Sequence, residues 1–238
     1  MGELSQRRAQ KKAQTRAHIR AVAQRLFAAH GFDGVTTADV ARHADVAVQT
    51  VFNHFSTKEE LFFDGRTPWV SGPAEAVRDR GPDTCPLDAL RVYLVDQVRS
   101  LIDATDVAER QSYLRTIEAS DVLPVREREL VFESEQRLTA ALRDAWTACD
   151  RTDPGTTPRD PEVAAAVTAA MWLAAVRALI VGHRTLVAGG RDACAVAREL
   201  GELVDRLLAG LARSAEHLRG EPAEPTRTPA RLRARRAG

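Results

Sequence analysis

Gln49 and Asn53 stand four residues apart in the stretch 36–58, TTADVARHADVAVQTVFNHFSTK. A carboxamide both donates and accepts hydrogen bonds, which suits it to the edges of bases, adenine best. No other part of the chain has residue types and spacing that argue for one specific activity. The spacing here reads as a short helix over about Val48–His54, with Val51 and Phe55 inward at i, i+4. Gln49, Thr50, Phe52, Asn53 and His54 are then left outward or at the flanks.

A helix of two turns does not stand alone and needs a scaffold. One short helix precedes it. Thr36 and Asp39 form a T-x-x-D capping pair, and Val40, Ala41 and Ala44 share a face. Asp45 is a candidate turn residue, because Asp is one of the few non-glycine residues that tolerate a positive φ. Val46 can fill the angle between the two helices. Before them, 15–30 places Ile19, Val22, Ala23, Leu26 and Phe27 at helical spacing, and Gly31 follows as a stop. Together these make a three-helix unit of helix-turn-helix type.

On these residues the run resembles the N-terminal domain of TetR-family transcriptional regulators. The resemblance is carried by Leu26-Phe27, Gly31-Phe32, Thr36-Thr37, Asp39-Val40-Ala41, Val46, Thr50-Val51-Phe52-Asn53-His54-Phe55 and Lys58-Glu59-Glu60-Leu61, within about 15–63. The chain departs from the family pattern with Asp45 in place of Gly, Ala47 in place of Ser and Phe52 in place of Tyr. Ala47 cannot cap the second helix, which costs about 0.5–2 kcal/mol. Phe52 keeps the ring without a hydroxyl to offer a phosphate.

The resemblance implies an all-α protein of about nine to ten helices. A helix-turn-helix DNA-binding domain would be followed by a helical-bundle domain for ligand binding and dimerisation. It places Val48, Gln49, Thr50, Asn53 and His54 toward the major groove of an operator duplex. Thr36, Thr37, Phe52, His54 and Lys58 would lie beside the backbone, where contacts position and do not specify. His54 has a second reading as a packing residue at the helix end. The function implied is a homodimeric repressor released from a palindromic operator by a small molecule. Candidate effector-binding residues are polar or aromatic side chains on largely apolar helices: Trp69, Gln97, Tyr113, Arg115, Glu118, Gln136, Trp172, Arg177 and His183.

Composition bounds the alternatives. The chain has 238 residues, 44% hydrophobic and 28% charged, enough for one or two domains with a sizeable core. Net charge is only +1, yet up to Lys58 nine Lys or Arg face four acids. A local basic excess beside a helix-turn-helix is the footprint expected for a polyanion. Cys85, Cys149 and Cys194 are far apart and form no C-x-x-C, as in reduced cytoplasmic thiols. The N-terminus MGELSQRRAQKK has no apolar core, so no signal peptide is expected. The apolar run 163–176 is cut by Arg177 and reads as a buried helix, not a membrane span. No G-x-S-x-G, H-E-x-x-H, P-loop or G-x-G-x-x-G occurs, and the histidines do not cluster. No catalytic residue, metal ligand or cofactor is therefore expected.

The chain divides into a flexible basic arm over 1–14, the DNA-binding domain over 15–63, a helical domain over 64–218 and a disordered basic tail over 219–238. Pro68, Gly72 and Pro73 should break the linking helix, which resumes near Ala74. Helices are expected over 87–103, 107–119, 124–148, 162–187 and 192–218, with a loop over 150–161. The helix over 162–187 reads as the most buried. The last two, long and rich in Ala and Leu, suit a hairpin that pairs with its twin in a second subunit. Two other classes remain open: an all-helical small-molecule binding protein or enzyme that has lost operator recognition, and a nonspecific nucleic-acid packaging protein using both basic ends.

Overall fold

The computed structural model describes residues 2–100, 107–152, 158, 160–188 and 193–216. The basic tail, Leu101, Ile102, Gly189, Gly190 and half of the 150–161 loop lie outside them. The described residues form ten helices: α1 (Gly2–His30), α2 (Thr37–His43), α3 (Val48–His54), α4 (Lys58–Phe63), α5 (Pro68–Arg78), α6 (Pro86–Ser100), α7 (Val107–Glu118), α8 (Leu123–Thr152), α9 (Pro161–Ala188) and α10 (Ala193–Glu216). The fold is all-α, as expected from the sequence.

Residues 2–14, expected as a flexible arm, are the helical start of α1, which is continuous from Gly2. Between Leu4 and His30 the chain has no Gly or Pro and is rich in Ala, Gln, Arg and Lys, all good helix formers. At its other end α1 stops at Gly31, φ +75°, whose amide donates to the Phe27 carbonyl at 2.9 Å.

The break in the linking helix falls earlier than the prolines suggested. It lies between α4 and α5, where Gly65 adopts φ +71°. Pro68 opens α5 at its first turn, where a missing N–H costs nothing. Pro73 sits inside α5 and withdraws the amide that would have reached the Trp69 carbonyl. The buried Ser134 of α8 repairs this, its hydroxyl donating to that carbonyl at 2.8 Å. The helix therefore runs through Pro73 with its bonding restored by a neighbour. Gly72 lies directly under Tyr93, where a Cβ would meet the phenolic oxygen at 2.0 Å, so only glycine fits there.

Two cores hold the chain, and they do not divide at residue 63. One joins Ile19, Phe27, Phe32, Val40, Val51, Phe55 and Leu61–Phe63 with Val70 of α5, Ile117 of α7, and Leu123 and Leu130 of α8. The other gathers Val77, Leu90, Leu94, Leu138, Leu142, Trp146, Ala165, Trp172, Val204 and Leu208. In it α8 packs on α5 and α9, and α10 on α6 and α9. Thus α7 and the first turns of α8 pack with the helix-turn-helix unit, although they follow it by about fifty residues.

The expectation that α9 is the most buried helix is corrected. It turns Ala165, Thr168, Ala169, Trp172 and Val176 inward but exposes Val163, Val167, Met171 and Val181. Those four fall within one arc of the helix at about 100° per residue. By length and composition Pro161–Gly182 would suffice to cross a membrane, and only 33% of that stretch is buried within the chain. The sequence is apolar on both sides of the helix, and a single chain covers only one. On α10, Leu203 and Leu207 are likewise exposed.

Candidate nucleic-acid interface

Thr36 opens α2 with a complete capping box. Its hydroxyl accepts from the Asp39 amide at 3.1 Å, and its own amide donates to the Asp39 carboxylate at 3.0 Å. The hydroxyl proton also goes to Asp39, at 2.6 Å. Hydrogen bonds from Thr36 and the charge of Arg42, 2.7 Å away, hold the Asp39 carboxyl below the usual carboxylate range. Thr36 therefore spends its hydroxyl proton inside the box. Thr37, half-buried, begins the helix proper.

Asp45 takes the left-handed conformation, φ 52°, the only non-glycine residue among the described ones to do so. The Val46 amide reaches back to the Ala41 carbonyl at 3.0 Å and the Asp45 amide to Arg42 at 3.4 Å. This is a Schellman ending, with Asp where glycine is commonest. Val46 then packs against the core between the helices.

Ala47 at the start of α3 makes no side-chain cap. Val51 is buried and pins the helix, while Val48, Gln49, Phe52 and Asn53 are exposed and Thr50 is half-buried. The two carboxamides are coupled: Gln49 Nε2 donates to Asn53 Oδ1 at 3.2 Å. That leaves Gln49 Oε1 as an acceptor and Asn53 Nδ2 as a donor, the pair of roles that an adenine edge complements.

His54 closes α3 and Lys58 opens α4. His54 is half-buried, and its Nδ1 is buried with no hydrogen-bond partner. Burial, then the nearby charges of Lys12 and Arg16, push its imidazole below the ordinary pKa. Lys58 rests its ammonium 4.1 Å above the Phe32 ring. Thr57 caps α4 by accepting from the Glu60 amide at 3.0 Å.

One residue that no sequence motif singles out ties these helices together. Arg16 of α1 donates through Nη1 to the His54 carbonyl, the last of α3. Its Nη2 meets Asp64 Oδ1 at 2.5 Å and Glu60 Oε1 at 3.2 Å, and its guanidinium lies 4.1 Å over the Phe55 ring. Arg20 and Gln24 follow on the same face of α1, reaching Asp64 at 3.3 and 3.1 Å. The i, i+4 spacing of Arg16, Arg20 and Gln24, matched by Glu60 and Asp64, is visible in the sequence, but nothing there pairs segments some forty residues apart.

The eight candidate effector residues with described side chains are not brought together. Trp69 and Tyr113 pack against the first core, while Trp172 is buried in the second. Gln97 is half-buried on α6. Arg115 and Glu118 on α7, Gln136 on α8 and Arg177 on α9 are exposed, since polar residues on these helices mostly mark the solvent face. The side chain of His183 lies outside the described residues. No group of three or more potential metal ligands occurs among the described residues.

Residues 19–64 match the family described as bacterial regulatory proteins, tetR family. A Mycobacterium tuberculosis protein, named as a putative mycofactocin biosynthesis transcriptional regulator, is 30% identical over 107 residues, 44% of this chain and 49% of that one. The match thus spans about half the length of that relative. Among solved structures, SmeT in complex with triclosan covers 80% of this chain and 90% of its own, with a TM-score of 0.51 at 20% identity. GusR of Salmonella enterica covers 84% and 96%, with a TM-score of 0.50 at 18% identity. At these identities the two structures show the likeness of fold alone. The matched segment is the one that holds the capping box, the Schellman turn and the outward-facing α3.

Proposed function

We propose that this protein is a homodimeric transcriptional repressor that reads a palindromic operator through α3 and leaves it when a small molecule binds. The observation that carries the reading is the two-sided character of α3. Val51 anchors it, while Val48, Gln49, Phe52 and Asn53 face solvent. Gln49 and Asn53 read base edges, Val48 meets a thymine methyl, and Thr50 lies at the edge of the groove. Thr37, Phe52 and Lys58 flank the phosphates.

One such helix gives little affinity for a defined site. The exposed apolar arc of α9, with Leu203 and Leu207 of α10, supports a partner subunit covering it. A C2 pair would then offer two reading helices to half-sites about 34–36 Å apart, or a multiple of that. An effector favouring a state with mis-spaced reading helices would release the DNA. Of the candidate effector residues, Trp69, Gln97, Tyr113 and Trp172 are the ones at least half-withdrawn from solvent, and the proposed effector would meet residues of this group. A protein with this role works in the cytoplasm.

Selection of bound fragments from randomised duplex DNA tests the reading. Enrichment of an inverted repeat, bound by a species of twice the chain mass, supports it. Equal binding of all sequences, or a single-chain species in the complex, overturns it.

A further inference from the structure

The first turns of α1 stand apart from both cores: residues 5–14 are all exposed. Four of those ten are cationic (Arg7, Arg8, Lys11 and Lys12), and none is acidic. On a helix they form two adjacent rows at i, i+4, Arg7–Lys11 and Arg8–Lys12. Like charges at that spacing repel, and cations near a helix N-terminus oppose its dipole. The arrangement works against the helix that bears it unless an anion lies alongside.

The direction of the rows is set by Arg16, next in line after Arg8 and Lys12. Arg16 is neutralised by Glu60 and Asp64 and is bonded to the last carbonyl of α3. Lys12, one turn earlier, is close enough to His54 for its charge to act on the imidazole. Arg8 lies a further turn out, about 12 Å along the axis from Arg16. The cationic row therefore starts at the C-terminal end of the reading helix and leads away from it. A helix seated in the major groove has phosphates at its ends.

We propose that the exposed N-terminal half of α1 is a second, sequence-independent DNA-binding element, in which Arg8 and Lys12, flanked by Arg7 and Lys11, lie along the phosphate backbone beside the half-site. The proposal rests on the DNA-binding reading above. Charge complementarity selects the occupant, and a lipid surface fits less well. The remaining residues of 5–14 are Ser5, Gln6, Ala9, Gln10, Ala13 and Gln14, with no large apolar side chain to enter a bilayer.

The test uses the full chain with Arg7→Gln, Arg8→Gln, Lys11→Gln and Lys12→Gln, which keeps helix propensity nearly constant. The probe is the duplex that the wild type selects, with a scrambled duplex beside it, titrated between about 50 and 200 mM KCl. Loss of Arg8 and Lys12 should reduce the magnitude of the log–log salt slope by about 1.8 per protomer bound, at about 0.9 per phosphate contact. The ratio of selected to scrambled affinity should hold within about threefold, since phosphate contacts carry no sequence information. A chain with only Arg7→Lys and Arg8→Lys should keep the wild-type slope. An unchanged slope in the glutamine variant would overturn the proposal, as would loss of the ratio together with affinity. A wild type that bound neither duplex would sink the regulator reading and this proposal with it.

Discussion

The Tyr113 ring lies stacked on the Phe62 ring, centroids 5.2 Å apart and planes 10° from parallel. Tyr113 belongs to α7 and Phe62 to α4, so this contact ties α7 to the helix-turn-helix unit some fifty residues earlier in the chain. Phe63 meets the same tyrosine edge-on at 6.5 Å, and Arg66 lies 4.9 Å over it. Ile117 of α7 and Leu123 and Leu130 of α8 extend the contact into the core that holds α3. Movement of α7 would be felt by α4 and, through Arg16, by the reading helix.

A double-mutant cycle with Phe62→Leu and Tyr113→Leu checks that coupling. Aromatic pairs of this geometry contribute about 0.5–1.5 kcal/mol beyond their area. We expect an interaction energy in that range from urea unfolding. Strictly additive effects of the two single substitutions would mean that the stack holds nothing together.

Arg16→Met keeps the stem and removes the fork. Each ion pair is about one-third exposed on the arginine side, so screening limits it to roughly 0.2–1 kcal/mol. With the stacking on Phe55, a total destabilisation of about 1–2 kcal/mol is expected. DNA affinity should fall further than stability explains, because α3 is deprived of its C-terminal anchor. Arg16→Lys should recover little, since an ammonium cannot reproduce the fork. Full recovery of DNA affinity by lysine would contradict the anchoring role.

Acid should weaken the fold through His54. Its folded pKa lies below the ordinary value, chiefly from burial, so the unfolded chain binds the proton more readily. The stability associated with neutral His54 is complete above about pH 6.5 and is lost as pH falls from there through the depressed folded value. Urea midpoints measured from about pH 8 down to about pH 5 should decline, and His54→Gln should flatten that decline. An identical slope in both proteins would remove His54 from the account.

The first turn of α3 offers a gain. Ala47 leaves an uncapped end, and Ala47→Ser should add about 0.5–2 kcal/mol to unfolding stability if the hydroxyl accepts from the amide three residues on. No change in the thermal midpoint would indicate that the end is satisfied by other means.

Most of the helix-turn-helix is legible in the sequence because its determinants are local. The Thr36–Asp39 box, the positive φ at Asp45, the α3 bounds and the inward Val51 and Phe55 all follow from residues within a few positions of one another. The helix through Pro73 is not, since it depends on Ser134, far along the chain, bonding a carbonyl that the proline orphans. Nor is the shared core: Ile117, Leu123 and Leu130 show an apolar face but not which neighbour it meets. The half-covered α9 defeats sequence reasoning because an Ala-rich helix, apolar all round, looks the same whether one chain or two enclose it.

Sequence reading is assigned to Gln49 and Asn53. Affinity for the selected duplex and for a scrambled one, measured with wild type and with Gln49→Ala/Asn53→Ala, shows whether they carry it. Removing each base-reading carboxamide should cost about 1–3 kcal/mol on the selected duplex and little on the scrambled one, with the salt slope kept. A double variant that kept the wild-type ratio between the two duplexes would contradict the claim.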